Sequence, residues 1–306
     1  MIVRNDVDAV GIFTLADVRP HLIRRALDHG LHVLAEKPLG ATPADEEALL
    51  RTIEASDRLV AVNLFNRNTW YHRAMRDFIA AGQLGQLAIL DIAHLTPDLL
   101  PTEGHQPEGP PFHDCGMHYV DLARWYAESE YADWHAQGLR IWAWPDPWWV
   151  DAHGSFQNGV VFSVTQGFCY GQGAETITAR STFEAIGTHG VVRMRHDFRE
   201  VVVDFHGTSH TETQRGPYEG KKLDILAQQL AASLDVGHNV GFPTARDSVI
   251  ASRISQQMLD FARDHAAPIV GTPADLAHLI RHKAALRATG RAFPAAVLHS
   301  PPVAAH

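Results

Sequence analysis

A short apolar run that ends in Glu-Lys-Pro constrains the fold of this chain more than any other feature. Residues 31–35 predict a buried strand, and residues 36–38 supply charged groups at its carboxyl end. The segment 42–45, Thr-Pro-Ala-Asp, then opens a helix, because threonine caps, proline fits the first turn and aspartate suits the positive end of the helix dipole. Such a strand, turn and helix unit is typical of a parallel sheet, in which chemistry takes place at the carboxyl ends of the strands.

The neighbouring segments extend this alternation of strands and helices. An apolar run at 9–14 predicts a strand, residues 20–30 predict a helix closed by Gly30, and residues 59–63 predict another short strand. Together these elements form the C-terminal remnant of a doubly wound Rossmann domain of the α/β class, which we place at residues 1–66.

Beyond residue 66 the periodicity changes and predicts an α+β domain over residues 67–291. Alternating residues from 152 to 165, interrupted by Asn158-Gly159, indicate a hairpin with a type I′ turn. Further strands are expected at 183–186, 191–194 and 200–205, which suggests a large, open and mainly antiparallel sheet with helices on one face. Helices are expected near 70–82, 113–127, 222–235, 244–264 and 273–288. Residues 292–306 are predicted to form a flexible tail.

The composition narrows the possible functions. A formal charge of −9 argues against a nucleic-acid partner, since nucleic acids are bound by basic surfaces. The sequence has no apolar run of membrane-spanning length, and its two cysteines are too few for a disulfide framework. We therefore expect a cytoplasmic protein that forms homo-oligomers, makes no membrane contact and acts on a small molecule.

Ionisable residues concentrate in the segment His113–Asp121. Asp114 and His118 are four residues apart, so on a helix they share one face, and Asp121 extends the same stripe. Charged groups on a helix with a large apolar surface are costly to bury unless they are paired or used in chemistry. His113 and His118, being five apart, are poorly spaced as metal ligands on one helical face, so we predict no metal site.

Two motifs in chain order give the sequence a resemblance to a known family. Residues 6–10, Thr14 and the segment 30–39, followed by Asp114-x-Gly-x-His118-x-x-Asp121, resemble the glucose-fructose oxidoreductase, inositol dehydrogenase and rhizopine-catabolism (Gfo/Idh/MocA) family. The similarity extends from residue 6 to about residue 265. It implies NAD or NADP as cofactor and a sugar, polyol or inositol hydroxyl as the reacting group.

The resemblance also implies roles for individual residues. Lys37, Asp114 and His118 would form the proton-handling catalytic set. The cofactor would be bound by Thr14, Glu36, Lys37 and Pro38, with Glu36 orienting Lys37 or closing the turn. The substrate would be bound by Arg67, Asp121 and Tyr170, although Asp121 could instead support His118 or an arginine such as Arg124.

Two departures from the family pattern affect this interpretation. The usual Thr-Pro-x-x-x-His after the strand reads Thr14-Leu-Ala-Asp-Val-Arg19, and no Gly-x-Gly-x-x-Gly for the cofactor pyrophosphate occurs in the sequence. We therefore expect the chain to start in the middle of a Rossmann fold, as an artefactual start, a fragment or a shortened paralogue, and to bind NAD(P) weakly.

Three function classes remain open on the sequence. The first is an NAD(P)-dependent dehydrogenase of a sugar, polyol or inositol. The second is a dehydratase or epimerase that uses the same acid–base residues without a dissociable cofactor. The third is a non-catalytic partner subunit.

Overall fold

The computed structural model describes residues 7–97, 110–141, 146–168, 174 and 178–269, together with single positions between 277 and 289. Within this part of the chain, two β-sheets pack against six α-helices. No helix in it is long and apolar enough to cross a membrane.

The first sheet has three parallel strands in the order β1-β2-β3: β1 (Ala9–Ile12), β2 (His32–Ala35) and β3 (Val60–Val62). Helix α1 (Arg19–Asp28) connects β1 to β2, and helix α2 (Pro43–Glu54) connects β2 to β3. The Thr42 hydroxyl caps α2 by accepting a hydrogen bond from the Asp45 amide at 3.2 Å. The predicted alternation and the predicted helix cap are therefore confirmed.

The second sheet has nine strands in the order β11-β10-β9-β8-β4-β7-β6-β5-β12. Its strands are β4 (Leu87–Leu95), β5 (Tyr131–Ile141), β6 (Trp149–Phe156), β7 (Val161–Gly167), β8 (Arg180–Gly187), β9 (Val191–His196), β10 (Glu200–His206), β11 (Thr211–Pro217) and β12 (Ala267–Ile269). All neighbours are antiparallel except the pairs β4–β7 and β5–β12, so the mainly antiparallel sheet is confirmed.

Four helices complete the described fold. They are α3 (Trp70–Ala80), α4 (Met117–Ala127), α5 (Leu223–Val236) and α6 (Ala245–Asp264), and a 3₁₀ turn at Phe65–Asn68 precedes α3. Side chains of α3, α4 and α6 share one core with the large sheet. The predicted helix at 273–288 and the predicted tail lie mostly or wholly outside the described residues.

Helices α5 and α6 connect the two sheets. Leu226 and Leu230 of α5 pack with Leu34 of β2, and Val249 of α6 joins the core of the first sheet. Farther along α6, Met258 lies in the core of the second sheet. The boundary between residues 66 and 67 remains a prediction, but residues 223–249 return to the first sheet and contribute to its core.

The hairpin between β6 and β7 differs from the prediction. A type I′ turn needs a positive φ at both central residues, whereas of Asn158 and Gly159 only Gly159 has one, at +87°. The Gly159 amide donates to the Phe156 carbonyl at 2.9 Å, which gives a three-residue loop with the glycine in the left-handed position. Asn158 is held out of that conformation because its side chain donates to the Ala127 carbonyl at 2.9 Å.

The helix predicted at 113–127 begins with a different kind of turn. Residues Phe112–Gly116 form a π-helical turn, and the α-helix starts at Met117. A Cβ on Gly116 would lie 2.8 Å from the ring of the fully buried Phe112, so the wide turn requires glycine there. Single π turns of this kind often occur at functional sites, and this one contains Asp114.

Candidate active site

Lys37 and Asp114 form an ion pair between the two halves of the fold. Lys37 follows β2 of the first sheet, and Asp114 lies in the π turn before α4. The Lys37 ammonium is 2.5 Å from the Asp114 carboxylate and donates to the Asp114 carbonyl at 2.8 Å. Both side chains are nearly buried, 11% and 17% exposed, so the pair is poorly screened by water. The structure therefore brings two of the three predicted catalytic residues into direct contact.

Glu36, the residue before Lys37, belongs to a separate polar cluster. Its carboxylate accepts hydrogen bonds from Asn63 and from Lys221, each at 2.9 Å. Burial raises the pKa of Glu36, but Lys221, Lys37 and Asn63 together outweigh burial and hold this pKa below its ordinary value. Glu36 is therefore a largely buried carboxylate that stays charged beside Lys37.

His118 is the second residue of α4 and is buried. Its ring packs edge-on against Phe65 with the centroids 4.9 Å apart, and its Nδ1 has no hydrogen-bond partner among the described residues. Burial, and then the charges of Lys37 and Lys221, lower the pKa of His118 well below 6.5, with a smaller opposing effect from Asp114. The imidazole is thus neutral at physiological pH.

The predicted cofactor residues Thr14 and Pro38 are linked by a side chain that the sequence prediction did not use. Arg19, 1% exposed, donates to the carbonyl oxygens of both Thr14 and Pro38. This arginine stands where the family pattern has histidine, and it joins the carboxyl ends of β1 and β2. The Thr14 hydroxyl is buried and has no hydrogen-bond partner among the described residues, so it is a polar group available to a ligand.

The predicted substrate residues Arg67 and Asp121 bind one another. Arg67 donates to both carboxylate oxygens of Asp121, at 2.7 and 2.5 Å, and it lies 3.3 Å from Asp247. Burial raises the pKa of Asp121 and Arg67 opposes this effect. Arg124 binds Asp247 and Glu130 rather than Asp121. These contacts favour a structural role for the pair, and the substrate-binding role of Arg67 and Asp121 remains a prediction.

Two sequence predictions remain, the substrate contact at Tyr170 and the statement that there is no metal site. Tyr170 lies outside the described residues. Within the described part no group of three or more potential ligand side chains could hold a metal ion.

The sequence prediction missed a group of packed aromatic rings formed by His94, Tyr119, His196 and Tyr218. His94 stacks on Tyr119 with the centroids 4.7 Å apart, and Tyr218 packs against His196 at the same distance. Burial lowers the pKa of His94 well below 6.5 and that of His196 to about 3, so both rings are neutral. The Cys115 thiol lies 3.8 Å from the Tyr119 hydroxyl. These residues come from distant strands and helices, so no local motif could reveal them.

The sequence prediction also missed Lys221, although lysine is rare in this chain. The chain has 26 Lys and Arg residues, of which only four are lysine: Lys37, Lys221, Lys222 and Lys283. Two of these four, Lys37 and Lys221, contact the Glu36–Asp114 region.

Comparison with known proteins agrees with this geometry. Residues 1–64 match the sequence profile described as "Oxidoreductase family, NAD-binding Rossmann fold", and residues 72–193 match that of the Gfo/Idh/MocA C-terminal domain. The chain belongs to the Gfo/Idh/MocA family of oxidoreductases.

Individual relatives are similar over parts of their length. The 1,5-anhydro-D-fructose reductase of Ensifer adhaerens is 30% identical over 194 residues, which cover 60% of this chain and 56% of the reductase. Inositol 2-dehydrogenase 1 of Mycolicibacterium vanbaalenii is 31% identical over 126 residues, covering 41% of this chain and 36% of the dehydrogenase. The chain thus matches only about half, or less, of the length of these two relatives.

A solved structure shares the fold. Levoglucosan dehydrogenase, solved in complex with NADH and levoglucosan, superposes with a TM-score of 0.67 at 19% identity, over 86% of this chain and 80% of that protein. The superposition supports the arrangement of the two sheets described above.

A substitution at Asp121 separates its structural role from the predicted substrate-binding role. We expect Asp121→Asn to lower the free energy of unfolding by about 3 kcal/mol, because it leaves the Arg67 charge buried without its main partner. Urea unfolding measures this loss. The control is Asp260→Asn, whose carboxylate is 54% exposed beside Arg263 and should cost less than about 1 kcal/mol. An Asp121→Asn protein of unchanged stability that binds substrate poorly would instead support the substrate-binding role.

Proposed function

We propose that this chain is an NAD(P)-dependent oxidoreductase that acts on a hydroxyl group of a sugar, polyol or inositol. The observation that carries the proposal is the Lys37–Asp114 pair at the carboxyl end of β2, with the neutral His118 close by. Relatives in the family include a sugar reductase and an inositol dehydrogenase, which supports this substrate class.

The residues at the strand ends fit the nicotinamide end of a dinucleotide. The unpartnered Thr14 hydroxyl and the Lys37 ammonium follow adjacent parallel strands, the position at which such sheets bind ligands. Thr14, Glu36, Lys37 and Pro38 are the residues that would hold this end of the cofactor. When bound, nicotinamide supplies the redox chemistry by exchanging a hydride with the substrate carbon.

The protein groups supply proton transfer and charge. We propose that the Lys37 ammonium stabilises negative charge on the reacting substrate oxygen, and that Asp114 holds the ammonium in place. His118 is neutral, so one of its ring nitrogens can take up the hydroxyl proton as the alcohol is oxidised and return it in the reverse reaction. Burial of all three groups excludes water and strengthens their electrostatic effects.

A second candidate is acid–base chemistry without a dissociable cofactor, such as dehydration or epimerisation. It would use Lys37, Asp114 and His118 as acid and base groups without a redox partner. Absorbance at 340 nm distinguishes the two, because only the redox reaction consumes or forms NAD(P)H.

Substitution of the proton-handling residues tests the site directly. Lys37→Met should lower turnover to a residual rate, because methionine keeps the stem of lysine without its charge or proton. His118→Asn should lower kcat by about 10²- to 10⁴-fold, the usual contribution of a general acid or base. Asp114→Asn should cost less if its main task is to hold Lys37. The measurement is steady-state kinetics at 340 nm on a panel of sugars, polyols and inositols.

The matched control for these variants is Lys222→Met. Lys222 lies in the same loop as Lys221 but pairs with Glu219, away from Lys37 and Asp114. Near wild-type rates for both Lys37→Met and His118→Asn would refute the proposed site.

Cofactor affinity is a separate prediction for a polypeptide of these residues. We expect NADH and NADPH to bind with dissociation constants in the millimolar range or weaker, because no glycine-rich turn for the pyrophosphate occurs in the sequence. Fluorescence titration measures this affinity, and saturation at submillimolar NADH or NADPH would contradict the expectation. The kinetic assays above therefore need millimolar cofactor.

We also propose that the protein is a cytoplasmic homo-oligomer. Within the described residues β1 is an edge strand of the first sheet, and the nearby Phe13, Leu15 and Val18 are about half exposed. Such sheet edges and apolar patches favour association. Light scattering reports the oligomeric state, and a stable monomer would count against this proposal.

A further inference from the structure

A buried carboxyl group lies directly behind the segment that carries Lys37. Glu46, in the first turn of α2, is fully buried, and its carboxylate accepts a hydrogen bond from the Leu39 amide at 2.9 Å. The neighbouring Gly40 amide also lowers the pKa of this carboxyl group. Glu46 therefore holds the backbone just beyond Lys37 and Pro38 through the Leu39 amide.

The packing around this carboxyl group leaves little freedom. A Cβ on Gly40 would lie 2.9 Å from the Cβ of Asp45 and 3.2 Å from the Cγ of Glu46, so this close approach needs glycine. From the other side, Arg19 donates to the Pro38 carbonyl. The segment 38–40 is thus held between a buried guanidinium and a buried carboxyl group.

A second set of contacts leads from Glu46 to the partner of Lys37. The Ser252 hydroxyl of α6 lies 2.9 Å from His113 Nε2 and close enough to the Glu46 carboxyl group to lower its pKa. The Oε2 atom of Glu46 is buried and has no hydrogen-bond partner among the described residues. His113 immediately precedes Asp114, which binds the Lys37 ammonium. With Ser252 beside Glu46 as its one link that is not a hydrogen bond or a chain connection, the contacts form a ring: Lys37, the 38–40 segment, Glu46, Ser252, His113, Asp114 and back to Lys37.

The charged groups around Glu46 are few. Arg19 of α1 faces it, and His113 is reached through Ser252. On its own helix Asp45 and Glu47 are neighbours, and Glu47 pairs with Arg253 of α6 at 3.4 Å near the surface. Burial raises the pKa of Glu46 to about 7, against the smaller opposing effects of Ser252, the two amides and Arg19.

We propose that Glu46 is a positioning residue for the Lys37–Asp114 pair, and that its protonation state changes the setting of that pair. Ionised Glu46 accepts the Leu39 amide strongly and attracts the Ser252 hydroxyl. Protonated Glu46 is a weaker acceptor and has a proton of its own to donate, so the ring of contacts relaxes. The effect on turnover rests on the function proposed above, whereas the effect on Lys37 does not.

The direction of the pH dependence follows from the raised pKa. Below about pH 7 Glu46 is protonated, and above it the carboxylate forms, so the tightened ring is the high-pH state. Folding stability has the opposite dependence on pH. The folded chain binds the Glu46 proton more tightly than the unfolded chain does, so the free energy of unfolding falls as the pH rises towards 7.

Lysine resonances report this effect without any need for cofactor or turnover. The protein would be labelled with lysine carrying ¹³C at Cε, which gives only four signals from the chain. The Lys37 signal is identified by its loss in Lys37→Arg. We expect its chemical shift to show an inflection near pH 7 in the wild type, none in Glu46→Gln, and a smaller one in Ser252→Ala.

Two controls match the test variants. Glu47→Gln removes the neighbouring carboxylate on the same helix, and Ser248→Ala removes a buried hydroxyl of α6 that has no hydrogen-bond partner among the described residues. Both should keep the full inflection. An inflection that persists in Glu46→Gln, is unaffected by Ser252→Ala, or is missing in the wild type would overturn the proposal.

Kinetics then separate this inference from the proposed function. If the chain is the proposed oxidoreductase, kcat of Glu46→Gln at pH 8 should fall by about tenfold and lose its dependence on pH near 7, with KM little changed. A wild-type kcat for Glu46→Gln would contradict the positioning role. A protein that shows the Lys37 inflection but turns over no sugar or inositol would keep this inference and overturn the proposed function.

Discussion

The ion pair between Lys37 and Asp114 is the interaction on which the candidate site depends. It joins a strand end of the parallel sheet to the π turn that leads into α4, which packs on the large sheet. Two nearly buried charges remain stable only when each is paired and hydrogen-bonded, and here the ammonium binds both the carboxylate and the carbonyl of Asp114. The position of Lys37 is therefore set by the packing of both sheets and of α6 between them.

Of the titratable groups around this pair, some are charged at physiological pH and others are neutral. Glu36 stays ionised because Lys221 and Lys37 outweigh its burial, whereas the buried His118, His94 and His196 stay neutral. A neutral base beside a fixed cation suits the removal of a proton from a hydroxyl group, since the cation stabilises the oxygen that loses it. The charged pair Arg67–Asp121 lies in a separate network with Asp247.

The local motifs of the sequence predicted the elements that carry the chemistry. The apolar run before Glu36, the Thr42 cap and the spacing of Asp114 and His118 each reflect short-range physics, and each placed its element correctly to within a few residues. Strands β4, β5, β11 and β12 were not predicted. In β11 most residues are exposed, so the strand shows no alternating apolar pattern. The π turn and the pairing of Asp121 with Arg67 depend on packing between distant segments, as do the contacts of Arg19, Glu46 and Lys221. Such contacts leave no periodic signal.

A double-mutant cycle on Lys37 and Asp114 tests the central claim, that the two residues act as one catalytic unit. The cycle compares kcat/KM for Lys37→Met, Asp114→Asn and the double variant with the wild type, at millimolar cofactor and with a substrate found in the panel. If the residues act together, the double variant should lose little more than Lys37→Met alone. Losses that multiply independently in the double variant would show that the ion pair is not the functional unit and would contradict this account.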